Sequence, residues 1–229
     1  MQSNRSDLAA ALVSLLVPSF FAFSYFVLAN DPAPARTLFV LARGFLIGFP
    51  LFWTIVIDRK GFPAPRMKSD GMHAGFWVGM AITLAGVGLY FTVFEDLLRV
   101  EGVQQKAALL GFGGSLYWIY SLLIMVGNSS LEEYYWRWFC LGKLRVVTSL
   151  TAALIVSALG FTLHHVIVLA VYFGWLYAAL FGLCVFIGGV IFAYLYIKYD
   201  CIWSPWVCHA VIDAGIMVVG YRMIFGIEG

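Results

Sequence analysis

The sequence predicts an all-α integral membrane protein, a polytopic helix bundle with about eight transmembrane helices. Hydrophobic residues make up 62% of the 229 residues and charged residues only 11%, whereas soluble domains carry about 45–50% and about 25%. The mean hydropathy is +0.91. Seven runs are apolar over about 20 residues, the length that an α-helix needs to cross a hydrocarbon core of about 30 Å.

The same composition excludes several classes of protein. Disordered, coiled-coil and secreted disulfide-linked proteins have different compositions. The formal net charge of +2 is too small for a nucleic-acid-binding domain, so the expected surroundings are the lipid bilayer and no nucleic acid. The four cysteines lie in or beside apolar runs, which favours small buried side chains over disulfides or a metal cluster. These cysteines are Cys140, Cys184, Cys201 and Cys208.

The apolar runs define the predicted helices in chain order. They cover roughly residues 8–29, 37–57, 72–94, 107–127, 148–172, 174–198 and 201–225. The first run is too long for the core of a signal peptide and lacks a small-residue cleavage site, so we interpret it as an anchor. No polar stretch is long enough for a soluble domain. We therefore expect one membrane domain over residues 1–229, with N-terminal helices in 1–127 and a core in 128–229.

Residues 131–145 form the ambiguous element. The polar residues 128–130 are expected to end the fourth run, and the segment after them mixes aromatic with charged residues. At about 1.5 Å per helical residue, an embedded helix would bring Glu132, His165 and Asp213 to a common depth of about 20 Å. This coincidence favours eight membrane helices. With seven helices, the segment would lie on the membrane surface.

The orientation in the membrane depends on one charged loop. Residues 58–70 contain four basic side chains, and the positive-inside tendency predicts that this loop is cytoplasmic. With eight crossings, both ends of the bundle's chain would lie on that side, and Lys143 and Lys198 would lie on the other. The basic residues of the loop are Arg59, Lys60, Arg66 and Lys68.

Ionisable side chains inside membrane segments cost at least about 2.5 kcal/mol each and indicate function. Three groups of them occur: Glu132, Glu133 and Arg137; His164 and His165 after Phe161; and His209 with Asp213. Apart from these, Arg43 and Arg222 lie within runs. A carboxylate and a neutral imidazole can take a proton from water, and a second imidazole can stabilise an oxyanion. The pattern predicts hydrolysis of an amide without a protein nucleophile.

The acidic group also has a purely structural interpretation. Ser129 and Ser130 each precede a glutamate by three residues, which is the spacing of a capping box at the start of a helix. Glu133 and Arg137 are four residues apart and can neutralise each other. In this interpretation the carboxylates begin a helix and carry no chemistry.

The histidines have structural and chemical alternatives too. His164 and His165 point about 100° apart on a helix, so we expect only one of them to line the site. Zinc binds histidines and carboxylates, but no HExxH motif occurs and the adjacent histidines are badly placed to chelate together. A serine or cysteine nucleophile is poorly supported, because there is no GxSxG motif and Cys208 points away from His209.

Three motifs in this order resemble a known family. Residues 132–137 match EExxxR, residues 161–165 match FxxxH, and residues 209–213 match HxxxN/D. Together, in a polytopic chain, they look like the motifs of the CAAX-protease and bacteriocin-processing family, also called the abortive-infection family. The resemblance covers about the C-terminal half of the chain.

The resemblance implies an intramembrane glutamate protease with an eight-helix core and no metal or other cofactor. Glu132 and His165 would activate the water, and His209 with Asp213 would form the oxyanion-side pair. The prenyl-protein proteases carry Asn where this chain has Asp213. An ionised Asp cannot donate a hydrogen bond, so Asp213 either acts as a protonated donor or only orients His209. The supporting residues would be Glu133, Arg137, Phe161 and His164.

We therefore expect a multi-pass endopeptidase of the cell (inner) membrane that hydrolyses a peptide bond of a membrane-associated protein or peptide. A prenylated tail, a bacteriocin-type leader and a C-terminal sorting segment are all compatible with the sequence. The alternative is a non-enzymatic transporter or scaffold, in which the buried charges form a proton relay or a structural network.

Overall fold

The computed structural model describes residues 2–29, 31–61, 67–109 and 114–226, and every regular element within them is helical. The α-helices are α1 (Gln2–Phe23), α2 (Pro32–Phe52), α3 (Ser69–Leu89), α4 (Glu101–Leu109), α5 (Gly114–Leu122), α6 (Ser129–Glu133), α7 (Leu141–Val147), α8 (Leu150–Tyr199) and α9 (Trp203–Phe225). Five π-helical segments follow or join them: Ser24–Leu28, Trp53–Ile57, Tyr90–Phe94, Leu123–Asn128 and Tyr134–Cys140.

Five of the described helices are long and apolar enough to cross a membrane. They are Arg5–Leu28, Ala33–Ile57, Ser69–Phe94, Leu150–Tyr199 and Trp203–Phe225. Their outer faces expose large apolar side chains, as expected for helices that contact lipid. The predicted fold class, an all-α polytopic membrane bundle, is confirmed.

The long helix α8 contains two of the predicted runs. It has 50 residues, which would extend about 75 Å at 1.5 Å per residue, more than twice the hydrocarbon core. Gly174 interrupts it with φ 79° and ψ 168°, a conformation that glycine adopts without a steric penalty. The predicted boundary between residues 148–172 and 174–198 therefore falls at the kink.

Residues 114–147 form one uninterrupted helical element, which we call the site helix. It consists of α5, α6 and α7 and the two π-helical segments between them, with right-handed helical dihedrals at the junctions. The predicted end of a helix at residues 128–130 is wrong. Residues 114–127 of the fourth run and residues 131–145 belong to one element, so the predicted count of eight membrane helices is not confirmed.

The predicted capping box is wrong for the same reason. The hydroxyl of Ser129 donates to the carbonyl oxygen of Met125, and that of Ser130 donates to the carbonyl of Gly127 at 2.9 Å. Serine hydroxyls satisfied in this way by the preceding turn are tolerated inside a helix. Glu132 thus lies within a helix, where a carboxylate has no free backbone N–H to cap.

A buried ion-pair cluster joins three elements at one end of the bundle. The Nζ atom of Lys143 lies 2.7 Å from a carboxylate oxygen of Asp7 and 2.6 Å from one of Asp58. At the same end, Lys68 lies 3.9 Å from Asp200. The prediction that Lys143 and Lys198 lie on the opposite side from the loop after the second helix is therefore wrong. Arg66 of that loop lies outside the described residues. Because the site helix is one element where the sequence predicts two, every later helix begins at the opposite end of the bundle from the one predicted.

Replacing Lys143 by Met is expected to destabilise the bundle by about 3–5 kcal/mol, because it leaves Asp7 and Asp58 buried without their cation. Thermal unfolding in detergent measures the loss. Arg145→Met is the matched control, since Arg145 is exposed in the last turn of the same helix. Equal unfolding temperatures for the two variants would contradict a stabilising role for the cluster.

Close packing of α3 against α9 sets the position of the last motif. Gly75 and Gly79 are buried against α9, and a Cβ atom on Gly79 would lie 2.7 Å from the carbonyl oxygen of Cys208. A Cβ atom on Gly75 would overlap the carbonyl oxygen of Ser204. Small residues four apart allow such backbone approach between membrane helices. The contact fixes α9 at the residue that precedes His209.

The four cysteines are free, and only three of them are buried as predicted. Cys184 is exposed on the surface of α8. The main core lies where the site helix packs on α1, α8 and α9 and includes Tyr135, Trp136, Phe161 and Phe192.

Candidate active site

Three helices bring their polar residues to one place in the core. The site helix contributes Glu132, Glu133 and Arg137, the first half of α8 contributes His164 and His165, and α9 contributes His209 and Asp213. Each of these residues was singled out from the sequence, and none lies apart from the cluster. Phe161 lies among them.

Glu132 is 8% exposed and uses its two carboxylate oxygens differently. Its Oε1 atom accepts a hydrogen bond of 3.0 Å from the side-chain amide of Asn128. Its Oε2 atom is buried without a hydrogen-bond partner among the described residues and lies 3.7 Å from Nε2 of His209. A separation above 3.5 Å between polar atoms invites a bridging water. The carboxylate is therefore held at one oxygen and has the other available for a water molecule.

His164 and His165 both line the site, so the expectation that only one of them would do so is wrong. Their ring centroids lie 4.1 Å apart. One ring nitrogen of each and one oxygen of Glu132 all lie within 4.8 Å of one another. Two residues 100° apart on a helix can face a common point when that point lies between their directions, and two side-chain torsions bring both rings towards it.

The hydrogen bond of His165 assigns roles to its two nitrogens. Its Nδ1 atom lies 2.9 Å from the carbonyl oxygen of Phe161. The carbonyl can only accept, so Nδ1 carries the proton, and a neutral ring then has its lone pair on Nε2. This is the tautomer that a histidine needs to accept a proton from water. His164 instead stacks on Trp136, with centroids 5.6 Å apart and planes at 1°.

The same geometry bears on metal binding. Glu132, His164 and His165 offer one oxygen and two nitrogens, which are zinc ligands. The expectation that the adjacent histidines are badly placed to chelate together is wrong. A divalent cation and a water molecule are both compatible with this group.

Glu133, rather than Asp213, makes the hydrogen bond that orients His209. The Nδ1–H group of His209 donates to Oε1 of Glu133 at 2.8 Å. Asp213 lies 3.7 Å from the other ring nitrogen, Nε2, too far for a hydrogen bond. Asp213 therefore lies near the side of the ring that faces Glu132, without a hydrogen bond to His209.

Glu133 and Arg137 form the expected i,i+4 ion pair. The Nε atom of Arg137 lies 3.1 Å from Oε2 of Glu133, and both side chains are almost fully buried. The guanidinium also lies 4.4 Å from the ring centroid of Phe161 and 5.0 Å from that of Phe192. These faces stabilise a buried cation. Glu133 is thus held by Arg137 and in turn holds His209.

Several residues of the site were missed from the sequence. Trp136 and Phe192 stack on His164 and His209, but aromatic residues in a helix predict only core packing. Asn128, which the sequence places at the end of a helix, lies within the site helix and donates to Glu132. The Nη1 atom of Arg43 donates to the side-chain oxygen of Asn128 at 2.5 Å. The position of this charge within an apolar run is the feature of the sequence that indicates a role for Arg43.

Comparison with known proteins identifies the part of the chain that contains these residues. The model of the family described as type II CAAX prenyl endopeptidase Rce1-like matches residues 114–215. This range begins with the site helix and contains all three motifs. No curated protein and no solved structure matches the chain. The predicted resemblance is confirmed: residues 114–215 match the model of a family described as type II CAAX prenyl endopeptidases.

Proposed function

We propose that this chain is an intramembrane endopeptidase of the cell (inner) membrane that hydrolyses a peptide bond with water activated by Glu132 and His165, without a metal. One observation carries the proposal. Within the endopeptidase domain, a carboxylate with one held and one available oxygen faces imidazoles from two other helices. Residues 128–229 would form its catalytic core.

The proposed reaction begins with a water molecule between Oε2 of Glu132 and Nε2 of His165. A proton leaves the water for this pair as the water oxygen bonds to the substrate carbonyl carbon. The carbonyl oxygen becomes an oxyanion, and Nε2–H of His209 donates to it. The C–N bond then breaks, and the amine leaves with the proton first taken from the water.

The residues around this centre support it in distinct ways. Glu133 holds Nδ1 of His209, so that Nε2 points towards the reacting atoms. When Nε2 is also protonated, the carboxylates of Glu133 and Asp213 balance the charge of the ring. Arg137 keeps Glu133 in place, and Phe161 accepts the hydrogen bond from His165 through its backbone.

The substrate is a protein or peptide at the membrane. The description of the matched family favours a prenylated C-terminal tail of the CAAX type. A leader peptide and a C-terminal sorting segment remain alternatives. A transporter or scaffold, in which the chain of buried charges moves protons or holds helices together, is the alternative without proteolysis.

The proposal is tested by comparing the termini of membrane proteins in cells that produce the wild-type chain or Glu132→Ala at equal levels. Mass spectrometry should detect shortened termini only with the wild type. Equal elution from a sizing column in detergent shows that the variant is folded. Identical termini in both cells would contradict proteolysis and favour the transporter or scaffold.

Activity is expected to survive exhaustive chelation and reagents that modify serine or cysteine, because neither a metal nor a side-chain nucleophile takes part in the proposed reaction. The measurement is the rate of peptide cleavage by purified protein before and after treatment. Zinc present in a 1:1 ratio and lost together with activity would contradict the proposed reaction and favour a metal at Glu132, His164 and His165.

A further inference from the structure

We propose that Arg43 and Asn128 are a positioning pair that holds the carboxylate of Glu132 in its reactive orientation. The inference rests on the proposed function and adds to it two residues that lie outside the three motifs. It joins α2, which is outside the matched domain, to the centre of the site.

Arg43 is placed where a cation is costly. It lies ten residues into the span Ala33–Ile57, so its charge is near mid-membrane. Among the described residues it pairs with no carboxylate. Its guanidinium lies 5.1 Å from the ring centroid of Phe39 and donates to the Asn128 amide at 2.5 Å. A half-buried charge within a membrane span that is directed at a neutral amide, rather than at an acid, calls for a functional explanation.

The side-chain amide of Asn128 has only one orientation that satisfies both of its partners. A guanidinium has donors and no acceptor, so the amide oxygen must face Arg43 and the NH₂ group must face Glu132. Both hydrogen bonds involve a charged partner, which makes them stronger than bonds between neutral groups. Asn128 and Glu132 are four residues apart and therefore share a face of the site helix.

Asn128 makes the one direct hydrogen bond to the Glu132 carboxylate among the described residues. The nearest imidazole nitrogens are at 3.7 Å (His209) and 3.9 Å (His164). The ionisable groups around Glu132 are His164 and His165 on α8, His209 and Asp213 on α9, and Glu133 and Arg137 on its own helix. Without Asn128, the carboxylate could rotate onto a neighbouring imidazole and lose its place beside the water.

Asn128→Asp distinguishes two roles of Asn128. The variant keeps the contact with Arg43 between the helices and removes the hydrogen bond to Glu132. An ionised aspartate still accepts from Arg43, as an ion pair, but it has no donor for Glu132 and places a like charge beside it. We expect kcat on a fluorogenic prenylated tail peptide to fall about 10- to 100-fold, with KM changed less than about twofold and the unfolding temperature kept. Wild-type kcat in this variant would overturn the proposal.

Substitutions of Arg43 test whether the effect on kcat depends on its charge and on its position in α2. Arg43→Met should lower kcat similarly, and Arg43→Lys should recover part of it, because an ammonium group can still donate to the amide. Arg36→Met is the matched control: Arg36 is exposed on the same helix, two turns earlier. Equal kcat for Arg43→Met and Arg36→Met would also overturn the proposal.

A measurement without substrate keeps this inference separate from the proposed function. The chain has three asparagines, Asn4, Asn30 and Asn128, so ¹⁵N-asparagine labelling gives few side-chain amide signals. One of these signals should move in both Glu132→Ala and Arg43→Met and disappear in Asn128→Asp. If the wild type cleaves nothing, the proposed function fails and this signal alone decides the inference. A signal that does not move overturns the pair, whatever the activity.

Discussion

Glu132→Gln is expected to lower kcat by about 10²–10⁴-fold, the range for loss of a general base. Glutamine keeps the length of the side chain and an oxygen that can accept the hydrogen bond from Asn128. It cannot take a proton from water, so binding and folding should be kept while the chemical step is lost. Cleavage rates at saturating peptide, together with unfolding temperatures in detergent, measure the two effects.

Glu101→Gln is the matched control for this change. Glu101 is exposed at the start of α4 and belongs to none of the three motifs. Its replacement should leave kcat unchanged. Full activity in Glu132→Gln would mean that the buried carboxylate is only part of the helix packing, and the mechanism would need another base.

His209→Ala is expected to lower kcat by about 10²–10³-fold, with a smaller change in KM, as for the loss of one donor to an oxyanion. Its Nε2 atom lies 3.7 Å from Glu132, on the side of the site where the reaction would occur. The substitution also leaves Glu133 without one of its two partners. A lower unfolding temperature is therefore expected as well.

His209→Gln distinguishes the two effects. A glutamine amide can donate to Glu133 or to the oxyanion, so it should restore stability more than activity. His73→Ala is the matched control, because His73 is exposed near the start of α3. If both His209 variants unfold like the wild type and keep its kcat, His209 has no role in the reaction.

Much of the fold could be predicted because burial in a membrane leaves a strong pattern in a sequence. The length of the apolar runs indicates membrane crossings. The boundary near Gly174 could also be predicted, although both runs belong to the single helix α8. The site could be predicted for a related reason. Charges such as Glu132 and Arg137 are costly in an apolar run, so their presence alone indicated function.

The predictions that are wrong concern polar residues whose hydrogen-bond partners in the bundle differ from those expected in water. Asn and Ser in residues 128–130 favour helix ends in water, because their side chains compete for backbone groups. In the bundle, the serine hydroxyls bond to the preceding turn and Asn128 bonds to Arg43 and Glu132. The helix therefore continues. The predicted separation of Lys143 from the loop after the second helix depended on the end of this helix, and it is wrong for the same reason.

The membrane bundle, the three motifs and the family that they resemble could all be predicted from the sequence. The partners of these residues become apparent only when the helices are packed: Glu133 holds His209, 76 residues away, and Arg43 reaches Asn128 across 85 residues. Periodicity along a chain reports which face of a helix is buried, but not which helix lies against it. That choice depends on backbone approach, as at Gly79 against Cys208, which sets the rotation of α9 and directs His209 towards Glu132.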